Sequence, residues 1–393
     1  MKHRAERFGG IVASDDPPML AFVDRPFMRE LGVADSPLWR DDDDSIGALS
    51  APVEVHMACT NQCSMGCPHC YMDSRETDPD QMHTASFKAA VKRLADMGVF
   101  HVALGGGEAL ERPDLFELAR YARQVGLVPN LTTNGALVTP EVAQKLTCFG
   151  QVNLSLDGVG ELSGVFRGRN VMDTVDRAFD RLLEAGVSTG INCVVGRRNI
   201  DGLTGLFAYA ARRGLGEIEL LRFKPAGRGA ELYPDEKLTC EQARRFYPLV
   251  QELTETHDLA TKIDCSFVPM LCYHRPPKHV LEALGVCGCE AGNFLAGVQS
   301  DGRVSGCSFL PSLDLTVDEL PGAWDACPEF EGYRGWTASA PAPCSSCDYL
   351  SICKGGCHAV ALAQCGTTDA PDPDCPWVIE HRRAEATQPA RIE

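Results

Sequence analysis

From Val53 onward the chain alternates between two periodicities. Short apolar runs read as strands: VEVHM at 53, HVAL at 101, LVPNLTT at 127, VNLSL at 152, GINCVV at 190 and EIELLRF at 217. Between them the apolar positions recur at helical spacing. Phe87, Ala90, Val91, Leu94 and Ala95 form one stripe, stopped by Gly98; Thr139 and Pro140 open a second helix; Val175, Ala178, Phe179, Leu182 and Leu183 form a third stripe ending at Gly186. Strand followed by helix, repeated about six times, predicts parallel βα units. Such units make an α/β fold and curl into a partial, TIM-like (β/α)6 barrel, whose chemistry sits at the C-terminal ends of its strands.

The flanks are less regular. Residues 1–46 contain one apolar segment, MLAFVDRPFMRELGV from Met19, expected to be a strand and helix that cover the barrel's open side. The run Asp41 to Asp44 repels itself and reads as a solvated linker. The expected organisation is an N-terminal extension (1–46), a barrel (47–235), a helical bridge (236–286), a C-terminal cysteine-rich domain (287–385) and a tail (386–393).

Charge narrows the partners. A net charge of -17 disfavours an electrostatic grip on nucleic acid or on an anionic membrane, both of which need clustered Lys and Arg. The N-terminus lacks an apolar signal region, and no stretch approaches the ~20 apolar residues of a membrane span. A soluble, cytoplasmic protein is expected. In a reducing compartment its 19 cysteines, an odd count, point to metal or redox work instead of a disulfide framework.

The cysteines fall in two groups. Cys63, Cys67 and Cys70 follow the first strand directly, on the first βα loop. Iron-sulfur cubanes are normally held by four thiolates, so three would leave one iron open to a small molecule. A zinc knuckle completed by His69, or three thiols packed as small hydrophobes, are the plainer readings of the triplet. At the tip of the second strand, Gly106 and Gly107 let backbone approach a ligand closely, and Glu108 can accept a charge-assisted hydrogen bond from an ammonium group; an ordinary turn is the alternative. Asn134, Ser155 and Asp157 lie at the tips of the third and fourth strands, where Asn-Gly and Asp-Gly also make common turns. The second group spans Cys289-x12-Gly302-x4-Cys307, then Cys344-x2-Cys347-x5-Cys353-x3-Cys357, then Cys375. Cys59, Cys148, Cys193, Cys240, Cys327 and Cys365 read as buried structural thiols.

The triplet, with His69 before and Tyr71 after its third cysteine, resembles the signature of the radical S-adenosylmethionine (SAM) family. Gly106, Gly107 and Glu108 are similar to that family's GGE motif. The resemblance implies a 4Fe-4S cluster on Cys63, Cys67 and Cys70 whose open iron binds SAM. Glu108 would hold the SAM amino group, and Asn134, Ser155 and Asp157 would lie beside the cofactor. Arg167, in VFRGRN, is the candidate for its carboxylate. Reductive cleavage would then give a 5'-deoxyadenosyl radical that abstracts hydrogen. The later cysteines resemble the SPASM extension, which implies two auxiliary 4Fe-4S clusters. Cys289, Cys307 and Cys357 would hold the first, and Cys344, Cys347, Cys353 and Cys375 the second. An eighth ligand is missing; Cys287 is the nearest candidate, with Cys272 and Cys265 further upstream, or the site stays open.

What the resemblance implies is an oxidoreductase that matures a ribosomally made peptide or protein, by crosslinking or dehydrogenating a side chain. Its partners would be the peptide, a separate leader-binding protein, and a reductant such as flavodoxin or ferredoxin. Sulfatase maturation and tetrapyrrole modification are alternatives within the class. A non-catalytic iron-sulfur relay or zinc scaffold is the alternative outside it.

Overall fold

The computed structural model describes residues 1–15, 18–39 and 46–387; the run Asp41 to Asp44 and the end of the 386–393 tail lie outside the described residues. Among these residues no helix is long and apolar enough to cross a membrane. The chain opens on an antiparallel meander of β1 (Lys2–Glu6), β2 (Gly9–Asp15) and β3 (Pro18–Asp24), followed by α1 (Arg25–Glu30). The Asp24 carboxylate caps α1 by accepting the Phe27 N–H at 2.8 Å.

The apolar segment at 19 is thus a strand and a helix, but it does not cover an open side of the barrel. Phe8 and Ile11 pack against Leu49, Val53 and Phe100, residues just before the first two barrel strands. The meander therefore sits beneath the barrel, opposite the cysteine loop. Buried Arg4 locks it there, pairing with Glu6 at 2.7 Å and donating to the carbonyls of Ala51, Pro52 and Gly98.

Six strands with a helix between each and the next follow, as the periodicity predicts. They are β4 (Glu54–Thr60), α2 (Thr84–Asp96), β5 (His101–Gly106), α3 (Leu115–Gln124), β6 (Val128–Thr133), α4 (Pro140–Leu146), β7 (Val152–Ser155), α5 (Met172–Glu184), β8 (Thr189–Val195), α6 (Leu203–Arg213) and β9 (Glu217–Arg222). Each strand pairs in parallel with the next. In α5, Val175, Ala178, Phe179 and Leu182 are fully buried against the sheet, each large side chain contributing about 1.5–3 kcal/mol. Leu183 is 39% exposed, because one step along a helix turns ~100° away from the stripe. Thr139 opens α4, its hydroxyl accepting the Val142 N–H at 3.2 Å.

Three further strands extend this sheet, and the alternation did not foretell them. β10 (Ala260–Ile263) pairs in parallel with β9; β11 (Leu295–Val298) pairs in parallel with β4 and carries β12 (Val304–Ser305). The order is β10-β9-β8-β7-β6-β5-β4-β11-β12, an open sheet with β10 and β12 at its edges. The expected boundary at 287 is therefore crossed by the sheet: the cysteine-rich region contributes two strands to the barrel's own sheet. Strands of four and two residues, one holding Gly297, are too short to show a period of two.

Candidate active site

The loop after β4 carries Cys63, Cys67 and Cys70 and folds back on itself, the Cys63 N–H donating to the Arg75 carbonyl at 2.7 Å. Arg228, just beyond β9, clamps it. Its Nε and Nη2 donate to the Cys67 carbonyl at 3.1 and 3.0 Å, its Nη1 to the Ser74 carbonyl at 2.7 Å, and its backbone N–H to the Cys70 carbonyl at 3.0 Å. The loop is thereby held between the first and last strands of the six. Burial raises the Cys63 thiol to about 11 and also raises Cys67, so both stay protonated until a metal displaces the protons.

His69 and Tyr71 flank the third cysteine. The His69 Nδ1–H donates to the Phe166 carbonyl at 2.7 Å, and the ring lies among Phe166 and Phe223, where burial lowers its pKa and keeps it neutral. Tyr71 packs on Phe309, ring centroids 4.8 Å apart.

Gly106 and Gly107 end β5 against this loop. A Cβ on Gly106, which has φ +110°, would stand 2.2 Å from the Thr60 carbonyl oxygen, and one on Gly107 would stand 2.1 Å from that of Gln62. Only glycine lets the two loops touch. The buried Glu108 carboxylate accepts Thr133 Oγ1 at 2.7 Å, the Leu110 N–H at 3.1 Å and the Asn134 N–H at 2.9 Å. Burial outweighs these bonds and raises its pKa, so a cationic partner would find a strongly basic carboxylate. Asn134 thus acts through its backbone, while its side chain closes the turn onto Ala136.

Ser155 and Arg167 line the cavity below this loop, whereas Asp157 lies behind it. Its Oδ1 accepts the Val194 N–H at 2.9 Å, and Oδ2 stands 2.9 Å from Arg167 Nε, out of line for a hydrogen bond. Asp157 therefore supports Arg167, and this buried ion pair engages only the Nε edge of the guanidinium. A Cβ on Gly105 would meet nothing within 4 Å, so a side chain there would simply enter the cavity. A cavity walled by both polar and apolar side chains, with an arginine, a basic carboxylate and three thiols among them, fits the SAM-bearing cluster.

Ten other cysteines matter. Cys265 opens a 3-10 turn just after β10 and lies in the field of Cys289 and Cys357, while Cys307 lies in that of Cys289. Backbone contacts agree: buried Arg222 donates to the Ser266 carbonyl at 3.0 Å and to Asp372 at 2.6 Å, and Asp372 in turn accepts the Cys357 N–H at 3.1 Å. Burial would raise Cys289, but the neighbouring His358 and two backbone N–H groups draw it below the usual thiol value. Cys287, beside Glu290, is raised by burial to about 12. The remaining set, Cys344, Cys347, Cys353 and Cys375, lines a separate cavity of about 420 Å³ together with Cys272. Between Cys353 and Cys357, Lys354, Gly355 and Gly356 all have positive φ, and a Cβ on Gly355 would overlap the Trp336 ring at 2.4 Å.

Among the described residues no three His, Cys, Asp or Glu side chains converge tightly enough to hold a single ion. A cubane asks for a wider set of thiols around a shared void, which is what the two cavities offer. Sequence reasoning missed Arg228, Arg222 and Asp372. The Gly227-Arg228-Gly229 run after the last strand was the only local signal for any of them.

Known proteins agree with this geometry. The Radical SAM superfamily profile matches residues 57–207. The mycofactocin maturase MftC of Mycolicibacterium smegmatis is 32% identical over 355 residues, covering 88% of this chain and 87% of that one. The AdoMet-dependent heme synthase of Methanosarcina barkeri is 28% identical over 347 residues, covering 84% and 98%. In fold, the chain matches the crystal structure of Streptococcus suis SuiB bound to S-adenosylmethionine with a TM-score of 0.74, at 17% identity and over 95% and 98% of the two chains. A cysteine loop on the first barrel strand, a glycine-glutamate clasp beside it and relatedness along nearly the whole length place the chain among the radical SAM enzymes of the SPASM maturase family.

Proposed function

We propose that the chain matures a ribosomally made peptide, oxidising one of its side chains by crosslinking or dehydrogenation. One observation carries this reading. A single cavity of about 560 Å³ runs from Cys63, Cys67, Cys70 and Glu108 to Ser308 and Phe309, the residues next to Cys307. A side chain seated there would lie between the first cysteine loop and the first auxiliary thiols.

Bound at Cys63, Cys67 and Cys70, the cluster and SAM would supply the hydrogen-abstracting radical chemistry. The chain's own residues do the rest. Glu108 would hold the SAM ammonium by its remaining lone-pair site, and Arg167 would meet the carboxylate with its Nη edge. His69, neutral and tied to Phe166, would close one wall against water, and the Tyr71–Phe309 pair another. Two auxiliary clusters would receive the electron that net oxidation releases. For the first of these, the neighbourhood of Cys289 and Cys357 favours Cys265 as the fourth thiolate over Cys287, which gives a fully ligated relay with no iron open to substrate.

The test is anaerobic reconstitution of the full chain. It should bind roughly twelve irons as three cubanes. With dithionite and SAM it should yield 5'-deoxyadenosine, and with a precursor peptide, sought among short reading frames beside its gene, it should yield a product lighter by hydrogen. Cys265→Ser should change the iron content or the electron paramagnetic resonance of one auxiliary cluster, while Cys287→Ser leaves both unchanged. Zinc in place of iron would favour a scaffold. Turnover of a tetrapyrrole and not of the peptide would favour the reading that the heme synthase relative suggests.

A further inference from the structure

Deep in the cavity lies a polar set that the chemistry above does not use. His56, on β4, points its Nε2 at Glu54 Oε1, 2.9 Å away, and its Nδ1 at Ser308 Oγ, also 2.9 Å away. Carboxylates only accept, so Nε2 carries the hydrogen; Nδ1 of the neutral ring is then the acceptor, and the Ser308 hydroxyl is the donor. The result is a directed chain from Ser308 through His56 to Glu54. It is reachable: Glu54, His56 and Ser308 all line the cavity, and the His56 and Glu54 side chains keep 37% and 27% of their surface open. It is also well placed. Ser308 directly follows Cys307, and its neighbour Phe309 packs at a tilt on Tyr71, which directly follows Cys70. The hydroxyl therefore stands where the cavity wall passes from one cysteine set to the other.

We infer that Ser308, His56 and Glu54 form a proton-acceptor relay for the peptide side chain being oxidised. The inference rests on the peptide-maturing reading. In the step, an X–H bond of the substrate breaks and leaves its electron pair on the substrate. The proton passes to Ser308 Oγ as Ser308 gives its own proton to His56 Nδ1. The resulting imidazolium is held by the Glu54 carboxylate, so charge and atoms balance without any further reagent. Ser308 is the group that touches substrate; His56 is the base behind it, and Glu54 positions it.

The surroundings suit this role. His56 faces Glu54 on its own strand, Glu219 on β9, Lys224 beyond β9 and Ser308 beyond β12; Glu54 in turn meets His101 on β5 and Lys262 on β10. Burial alone would lower His56, but the Glu54 hydrogen bond, its charge and that of Glu219 raise it. Product formation should thus fall at acid pH as the ring takes up a proton of its own.

The full reconstituted chain is tested with SAM, dithionite and the precursor peptide that the maturase assay above turns over. In His56→Gln and in Ser308→Ala, with iron content intact, 5'-deoxyadenosine should still form, but product per 5'-deoxyadenosine should fall about 10²-fold, with KM for the peptide little changed. The acid limb of the pH profile should disappear in His56→Gln. Diethyl pyrocarbonate gives a second readout free of substrate: in the parent chain His56 should be modified with a midpoint pH above that of an ordinary histidine, and Glu54→Gln should lower it. Unchanged coupling and pH profile in both His56→Gln and Ser308→Ala would overturn the relay while leaving the maturase reading intact. Loss of the acid limb in Glu219→Gln instead would also overturn it, naming Glu219 as acceptor. A parent chain that cleaves SAM yet turns over no peptide removes both readings together.

Discussion

Two α-carbons without side chains do much to hold the cysteines in place. Gly107 lies where a Cβ would stand 2.1 Å from the Gln62 carbonyl oxygen, and Gly288 where one would stand 1.8 Å from that of Cys353. Both neighbours are backbone and cannot swing away. Gly288 also donates its N–H to the Ile352 carbonyl at 2.7 Å, so it stitches the segment bearing Cys287 and Cys289 to that bearing Cys353. Gly288→Ala should cost several kcal/mol and lower auxiliary iron content, read by thermal melting and iron assay. Glu108→Gln keeps the shape but removes the charge that an ammonium would meet. Its SAM dissociation constant should rise roughly ten- to a hundredfold, the scale of one charged hydrogen bond, as measured by equilibrium binding. Gly106, Gly107 and Glu108 were legible because their meaning is local: the residues stand together at a strand end. Cys265 was one of three candidates in the sequence, since nothing in the spacing ties it to Cys289; its nearness to Cys289 and Cys357 comes from the fold alone. Apart from the glycines on either side of Arg228, neither Arg228 nor Arg222 was legible, because Cys67 and Asp372 lie 161 and 150 residues away in sequence.

At the scale of elements, the end of β9 is the hub. Arg222 is buried with Asp372 at 2.6 Å and Asp374 at 2.8 Å, and Asp374 also pairs with Lys237 at 2.8 Å. Through the Asp372 bond to the Cys357 N–H, this network couples a barrel strand to a thiol proposed for the first auxiliary cluster. Arg222→Met leaves two carboxylates without their buried cation and should destabilise the fold by about 3–5 kcal/mol, measured by melting before and after cluster loading. Acid should act in the same place. Burial pushes Asp374 upward, but the Arg222 charge and the Lys237 and Tyr233 hydrogen bonds bring it below its ordinary value. Its contribution is therefore present above the ordinary aspartate pKa and is lost as pH falls through the lower, folded value. In Arg222→Met the acid-unfolding midpoint should move to higher pH. The strands β4 to β9 and their helices were legible because short apolar runs, several buried on both faces, alternate with helical stripes. The position of the N-terminal meander was not: an amphipathic strand shows that it has a buried face, not what covers it.

The whole molecule carries a net charge of -17, and one of its acids sits in an environment that holds on to its proton. Glu219, inside the barrel, is raised to about 7 by burial and by the charge of Glu54, against the opposing pull of Lys262 and His56. An unfolded chain would release that proton near the ordinary glutamate value, so between there and about pH 7 the folded state binds more protons. Stability should fall as pH rises through this window and level off above it. Glu219→Gln should flatten that slope, measured as melting temperature against pH. One further consequence comes from β11, the strand that the cysteine-rich region lays along β4. A chain cut before Leu295 would strip that neighbour away and bare a row of unpaired amide and carbonyl groups along β4, a template for sticking to other copies. The catalytic half is thus obliged to travel with its companion, and attempts to express it alone should yield aggregate where the full length stays dispersed.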